Sequence, residues 1–323
     1  MEQENLVDIL LTTYNSNIDF LRKQIDSILN QTYKNICLYI SDDCSDEKSV
    51  VSLLKEYEDK DNRVRIFVQD KNLGFNKNFE FLLNKSSAKY IMFSDHDDIW
   101  HNDKVEKSLK KIIESDVDLV YCDETQIDSK GQRLHDSYLK YKNFPIVTGK
   151  NDILAFTRSI SLGCSQIITS DLKEKILPFK DNVMAHDWLT MFMASINKGI
   201  GFIEEPLLDY RLHNDNIFGG RSLKNNLQRN RNGKKYSDFL EYRKETIEKA
   251  YLDGAKMCLS YVDDEKYSNI VKYYEAILKS KYLNFDFKNY FKFLGYKKIG
   301  KRGIKEIMLF NFPIISYLVY RFA

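Results

Sequence analysis

What the chain lacks narrows its identity first. Its 323 residues hold 49 Lys and Arg against 47 Asp and Glu, so no field of one sign marks a nucleic-acid binder. Five cysteines (Cys37, Cys44, Cys122, Cys164 and Cys258) are odd in number, far apart and without a CxxC pair. That argues against a disulfide framework or a zinc site and for a reducing cytosol. Glycine is scarce, at 13 residues, and no GxGxxG follows the first apolar run, which disfavours a dehydrogenase-type dinucleotide fold. Apart from the extreme C-terminus, no run approaches the roughly 18 uncharged apolar residues of a membrane span. The opening MEQENLVDILL carries acids where a signal peptide carries positive charge, and is read as a mature start. What remains is a globular composition, 43% apolar and 30% charged, with length for about two domains.

The first half alternates between two periods. Short runs rich in Val, Ile and aromatics at Val7–Leu11, Ile36–Ile40, Val64–Val68, Tyr90–Phe93 and Leu119–Tyr121 read as buried strands. Helix-period segments separate them: Ile18–Leu29, Val50–Tyr57, Phe75–Leu83 and Lys104–Ile113. This order predicts an α/β fold, a mostly parallel sheet with helices on both faces. Further on, a strand at Gln166–Thr169, a helix at Asp187–Asn197 and two short runs, Gly201–Ile203 and Leu207–Tyr210, are expected. Residues 221–235 carry six basic residues and no acid and read as a polar linker. Tyr236–Val262 and Glu265–Tyr282 predict a helical hairpin. The organisation expected is therefore 1–220, a linker at 221–235, and a helical C-terminal region at 236–323. Its last 36 residues, Lys288–Ala323, hold eight Lys or Arg, one Glu and many aromatics, as in a segment that lies on an anionic membrane surface or packs on the hairpin.

In sheets of this type ligands bind beyond the carboxyl ends of the strands. Thr12-Thr13-Tyr14-Asn15 follows the first strand. It is either an ordinary turn or a place where Tyr14 stacks on a nucleobase. Ser41-Asp42-Asp43 follows the second, as helix-capping acids or as a carboxylate accepting the N3–H of a pyrimidine. Asn72, Gly74 and Lys77 lie beyond the third strand, where a helix N-terminus can face a diphosphate. The fourth strand ends in Ser94-Asp95-His96-Asp97-Asp98-Ile99-Trp100. Three carboxylates within four residues repel one another, and at the end of a buried strand they are costly unless a cation binds. Hard oxygen ligands suit Mg2+ or Mn2+, which bind through one or two carboxylates plus substrate phosphates. Two later segments can complete this cluster. Asp187 opens a helix beside Trp188, as a cap or a catalytic group, and His213 follows Arg211 as a ligand or a surface histidine.

Taken together, T-T-Y-N, S-D-D, N-L-G-F-x-K-N-F, S-D-x-D-D-I-W, H-D-W and Y-R-x-H resemble family 2 glycosyltransferases of the GT-A fold, above all the bacterial rhamnosyltransferase-type members of polysaccharide and capsule synthesis. The match runs from residue 6 to about 222. The resemblance implies an inverting, metal-dependent transfer of a sugar from a dTDP- or UDP-sugar, with L-rhamnose first in line, using Mn2+ or Mg2+. It implies nucleotide-sugar contacts at Thr12, Tyr14, Asn15, Asp43, Asn72, Lys77, Asp95, Asp97, Trp188 and Arg211, metal binding at Asp97 and His213, and Asp187 as base. The acceptor expected is a lipid-linked saccharide, met in the cytoplasm at the inner membrane face through the basic tail. A non-catalytic nucleotide- or glycan-binding partner of a synthase is the competing reading. His96 stands where such relatives usually carry Gln, and Leu189 where an aromatic is common.

Overall fold

The computed structural model describes residues 5–152, 159–213 and 248–279. The chain divides into two compact units. One spans Met1–Asp152 and Ser159–Leu212; the other, Ile153–Arg158 and His213–Ala323.

The first unit is built on nine strands: β1 (Val7–Thr13), β2 (Ile36–Asp42), β3 (Val64–Val68), β4 (Tyr90–Ser94), β5 (Ile99–Trp100), β6 (Leu119–Ile127), β7 (Arg133–His135), β8 (Gln166–Thr169) and β9 (Ile200–Arg211). The sheet runs β3-β2-β1-β4-β8-β6-β9-β5, with β7 paired to β6. Strands β3, β2, β1 and β4 are parallel, as are β6 and β9, whereas β8 runs antiparallel to both its neighbours. The predicted mostly parallel α/β sheet is thus the fold observed.

Flanking it are α1 (Ile18–Leu29), α2 (Lys48–Lys60), α3 (Phe75–Lys85), α4 (Lys104–Ser115), α5 (Tyr138–Lys142), α6 (Ser170–Ile176) and α7 (His186–Ile196). Helix α1 starts where the Asn17 side chain accepts from the amides of Asp19 and Phe20, satisfying two of the donors a helix start leaves open. Its inner face is Leu21, Ile25 and Ile28, together with Gln24. These pack with Ile9, Leu11, Leu38, Ile40 and Met92 in one core. Each such aliphatic side chain contributes about 1.5–3 kcal/mol when buried.

Two predicted elements differ from those observed. Gly201–Ile203 and Leu207–Tyr210 are halves of a single strand, β9. Its register slips opposite Cys122–Asp123 and Asp123–Thr125 because Pro206 interrupts the ladder between the halves. The short run Leu119–Tyr121 extends to Ile127, and the whole of β6 is buried, including Asp123, Glu124, Thr125 and Gln126. Those polar residues masked the strand in the sequence.

In the second unit, α8 (Asp253–Tyr261) and α9 (Glu265–Lys279) bury Met257, Cys258, Tyr273 and Tyr274, and Lys256 meets Glu275 across the pair at 3.1 Å. The predicted linker 221–235 and basic tail 288–323 lie outside the described residues.

Candidate active site

The carboxyl ends of β1, β2 and β4 meet at one edge, and the candidate residues collect there. Thr12 is buried within β1, and Tyr14, just beyond, is 44% exposed. Asn15 takes a left-handed backbone (φ 46°), which Asn tolerates better than most residues. Its amide nitrogen donates to Ser45 Oγ at 2.8 Å. Its side chain donates to Asp46 at 3.0 Å and accepts from the Asp46 amide at 2.8 Å. Asn15 therefore ties the β1 loop to the β2 loop. Asp43 is buried, and its two oxygens accept the amides of Leu73 (2.7 Å) and Gly74 (2.9 Å), so it fixes the turn ahead of α3. Gly74 sits at φ 81°, and Asn72 Oδ1 also accepts its amide, at 3.1 Å. Lys77 is paired with Glu80 at 2.7 Å.

At the end of β4, Ser94 accepts from the buried Gln24 amide at 2.7 Å and donates to the Asp95 carbonyl at 3.0 Å. Asp97 and Asp98 are buried, and Asp95 is half-buried. Carboxylate oxygens of Asp95 and Asp98 and the Cys164 sulfur converge within 4.8 Å of one another. Cys164 comes from a 3-10 turn, Gly163–Ser165, that the sequence did not point to. Burial, then the charges of Asp97 and Asp187, push the Asp95 carboxyl up to about 7. Burial and the charges of Asp97 and Asp95 push Asp98 well above the usual carboxylate range. Asp98 Oδ2 is buried without a hydrogen-bond partner among the described residues. An acid cluster with this much uncompensated charge suits a hard divalent cation held by oxygen ligands.

Arg211, at the end of β9, braces this turn. Its amide donates to Asp98 Oδ1 at 3.1 Å, its Nε to the Asp97 carbonyl at 2.8 Å and its Nη1 to the Asp128 carbonyl at 3.2 Å. The guanidinium lies 4.4 Å from the Phe20 ring centroid, a cation–π contact. Buried in this way, Arg211 organises the acidic loop from behind. The sequence had offered it as a donor contact.

Asp187 lies in the first turn of α7, and its Oδ1 accepts the Trp188 amide at 2.7 Å. Desolvation raises its carboxyl to about 6, against the hydrogen bonds from the Trp188 amide and Ser159. The charge coupling to Asp95 places it at the same acid cluster. Trp188 is buried. His186, next to Asp187, is packed among Phe79 (4.2 Å), Phe93 (4.9 Å) and Phe75 (6.4 Å). Burial lowers its imidazole to about 3, so it stays neutral. Asn76 positions this start by donating to the Val183 and Met184 carbonyls (2.9 and 3.0 Å) and accepting the His186 amide at 3.1 Å. His213 is half-buried two residues beyond Arg211 and belongs to the second unit.

The structure thus brings Asp95, Asp97, Asp98 and Asp187 together and sets Thr12, Tyr14, Asn15 and Asp43 along the same edge. Gln24, Asn76 and Cys164 are the additions. Their only sequence signal was polarity, or a thiol, at positions that pattern alone assigns to packing.

A mostly parallel α/β sheet with an acidic cluster at its strand ends is the architecture expected from the sequence. The model for Glycosyl transferase family 2 matches residues 8–176, just over half of the chain, and the chain belongs to that family. An uncharacterised glycosyltransferase of Methanocaldococcus jannaschii is 28% identical over 224 residues, 69% of this chain and 76% of the relative. One from Rickettsia prowazekii is 32% identical over 218 residues, and the chain spans 64% of its length. Among solved structures, the mannosyltransferase PcManGT of Pyrobaculum calidifontis, in complex with GDP-Man and Mn2+, matches with a TM-score of 0.58 at 12% identity, covering 98% of this chain and 79% of that one. S. aureus TarS in complex with UDP-GlcNAc matches with a TM-score of 0.55 at 16% identity, covering 94% and 78%. These likenesses share the fold.

Proposed function

We propose that the protein is an inverting, metal-dependent glycosyltransferase that moves a sugar from a nucleoside diphosphate onto a saccharide acceptor in cell-surface glycan synthesis. The observation that carries this reading is the convergence of Asp187 with the Asp95–Asp98 cluster at the strand ends. A module that only binds a nucleotide has no need of a desolvated carboxylate poised beside a metal-type cluster.

Tyr14 and Thr12 receive the nucleobase, with Tyr14 exposed for stacking. Asp43 and Asn72 hold the neighbouring loop in shape. Asp95 would meet the ribose and diphosphate, and Asp97, supported by Asp98, would hold Mn2+ or Mg2+. The bound cation supplies Lewis-acid neutralisation of the departing diphosphate. Solved relatives of the fold carry UDP-GlcNAc in one case and GDP-Man with Mn2+ in another, which supports a sugar nucleotide and a divalent ion here. Asp187 takes the proton of the attacking acceptor hydroxyl, a role that contributes about 10²–10⁴ in rate. Its raised carboxyl is well matched to that task near neutrality. One base and a direct displacement invert the anomeric centre. L-Rhamnose from dTDP-rhamnose is the first donor to try and a UDP-hexose the second. The acceptor proposed is lipid-linked, reached at the inner membrane face through the basic aromatic tail.

The test is Asp187→Asn. Transfer should fall by about 10²-fold or more, while nucleotide with Mn2+ still raises the melting temperature by mass action. Transfer at the wild-type rate would remove Asp187 from the mechanism.

A further inference from the structure

The β7–α5 segment forms a groove that the donor chemistry leaves unused. Its cavity of about 500 Å³ is lined by Arg133, Leu134, His135, Asp136, Lys140 and Tyr141, among others. That volume lies within the roughly 300–1,000 Å³ of small-ligand sites. Its wall is aromatic: His135 and Tyr141 stack at 3.8 Å with 16° between planes, and Tyr141 and Leu134 remain 45% and 46% exposed. Its rim carries two cations, Arg133 and Lys140, against one acid, Asp136, which meets Arg133 at 3.2 Å.

The groove is held in place rather than loose. Asp123 accepts the Ser137 hydroxyl (2.5 Å) and the Leu139 amide (3.2 Å), and the Val147 amide donates to Tyr121 Oη at 2.9 Å. Gln126 faces His135 across the β6–β7 pair, so its side chain shares that side of the ribbon. Its carboxamide is fully buried and makes no hydrogen bond among the described residues. The elements that carry the groove also reach toward the acid cluster. The Tyr138 ring meets Tyr210 at 6.1 Å, and Tyr210 lies close enough to Asp98 and Asp95 to feel their charge. Arg211 links the β6–β7 turn to the acidic loop, donating to the Asp97 carbonyl and to the Asp128 carbonyl.

We infer that this groove is the acceptor subsite and that it takes a glycan carrying an anionic group, a uronate carboxylate or a phosphodiester. The inference rests on the transferase reading and names the substrate class of that site. An exposed aromatic stack gives sugar rings a flat apolar face, and guanidinium and ammonium groups at the rim pair with carboxylate or phosphate oxygens. The small ordering cost of a pre-held wall favours binding of a flexible chain.

Calorimetric titration of the full chain with three probes tests this: an oligogalacturonate tetrasaccharide, a glycerol-phosphate tetramer and neutral maltotetraose. At least one acidic probe should bind about 10-fold more tightly than the neutral one, and high salt should weaken it. Tyr141→Ala and the double variant Arg133→Ala/Lys140→Ala should each weaken the acidic probe about 10-fold, since both act on one small surface site. Whichever acidic probe binds better assigns carboxylate or phosphodiester. Equal binding of neutral and acidic probes, no binding of any probe, or variants that bind like wild type would overturn the assignment. Mn2+-dependent stabilisation by dTDP or UDP is measured on the wild type in parallel. Its absence would count against the transferase reading alone, because glycan binding is read without turnover.

Discussion

Asp187 carries the clearest consequence at the scale of single residues. A base acts only when deprotonated, and its carboxyl is raised to about 6. The rate of transfer, kcat/KM, should therefore rise with pH to a plateau, with its midpoint near pH 6 or drawn below it by the cation bound beside Asp95. A profile flat down to about pH 4, the range of an ordinary carboxylate, would count against Asp187 as base. Glu124 gives a separate test, on stability. Burial, then the charge of Asp123, raise it to about 8, and neither of its oxygens has a hydrogen-bond partner among the described residues. The folded chain keeps a proton there that the unfolded chain loses above the usual Glu range. Stability should thus fall as pH rises from about 5 to about 8 and then cease to depend on this group. Glu124→Gln cannot ionise, so its melting temperature should gain on the wild type across that window. A constant gap would refute the raised value.

Elements matter through the way they meet. The 3-10 turn Gly163–Ser165 brings Cys164 to the acid cluster, and Gly163 makes room for the start of α7. A Cβ at Gly163 would lie 2.5 Å from His186 Nε2. His186 has little freedom to retreat, being packed against Phe75, Phe79 and Phe93. Gly163→Ala should cost about 1–3 kcal/mol in urea unfolding, as overpacking does. It should also lower the transfer rate, because Asp187 follows His186 directly. Unchanged stability would show that α7 shifts freely. Helices α1, α2, α3, α4 and α7 were legible from their period, whereas the short α5 and α6 were not. Gln24 was not, although it sits on the inner face of α1. A polar residue at a core position looks like a break in the pattern until its partner is known, and here the partner is Ser94, 70 residues away.

At the scale of the whole molecule the proposed membrane contact can be tested. No helix among the described residues is long and apolar enough to cross a membrane. The proposed contact with a bilayer is made by the basic aromatic segment 288–323, whose charges are each worth roughly 1 kcal/mol at an anionic surface. Deleting Lys288–Ala323 should move the protein from membrane to soluble fractions of a cell lysate. An unchanged distribution would show that the tail is not the anchor.

Local chemistry was enough to define the alternation of strand and helix, the parallel sheet and the acids at its strand ends. Apolar period and turn residues act over a few positions, and crowded carboxylates announce their own cost. The sequence could not tell that Arg211 braces the acidic loop, that Cys164 joins it, that β6 continues through four buried polar residues, or that Asp43 is engaged by two backbone amides. Each of these depends on a partner brought close by chain segments far apart in sequence. Whether a polar group is solvated, paired or desolvated is a property of its surroundings, and those exist only once the sheet has formed.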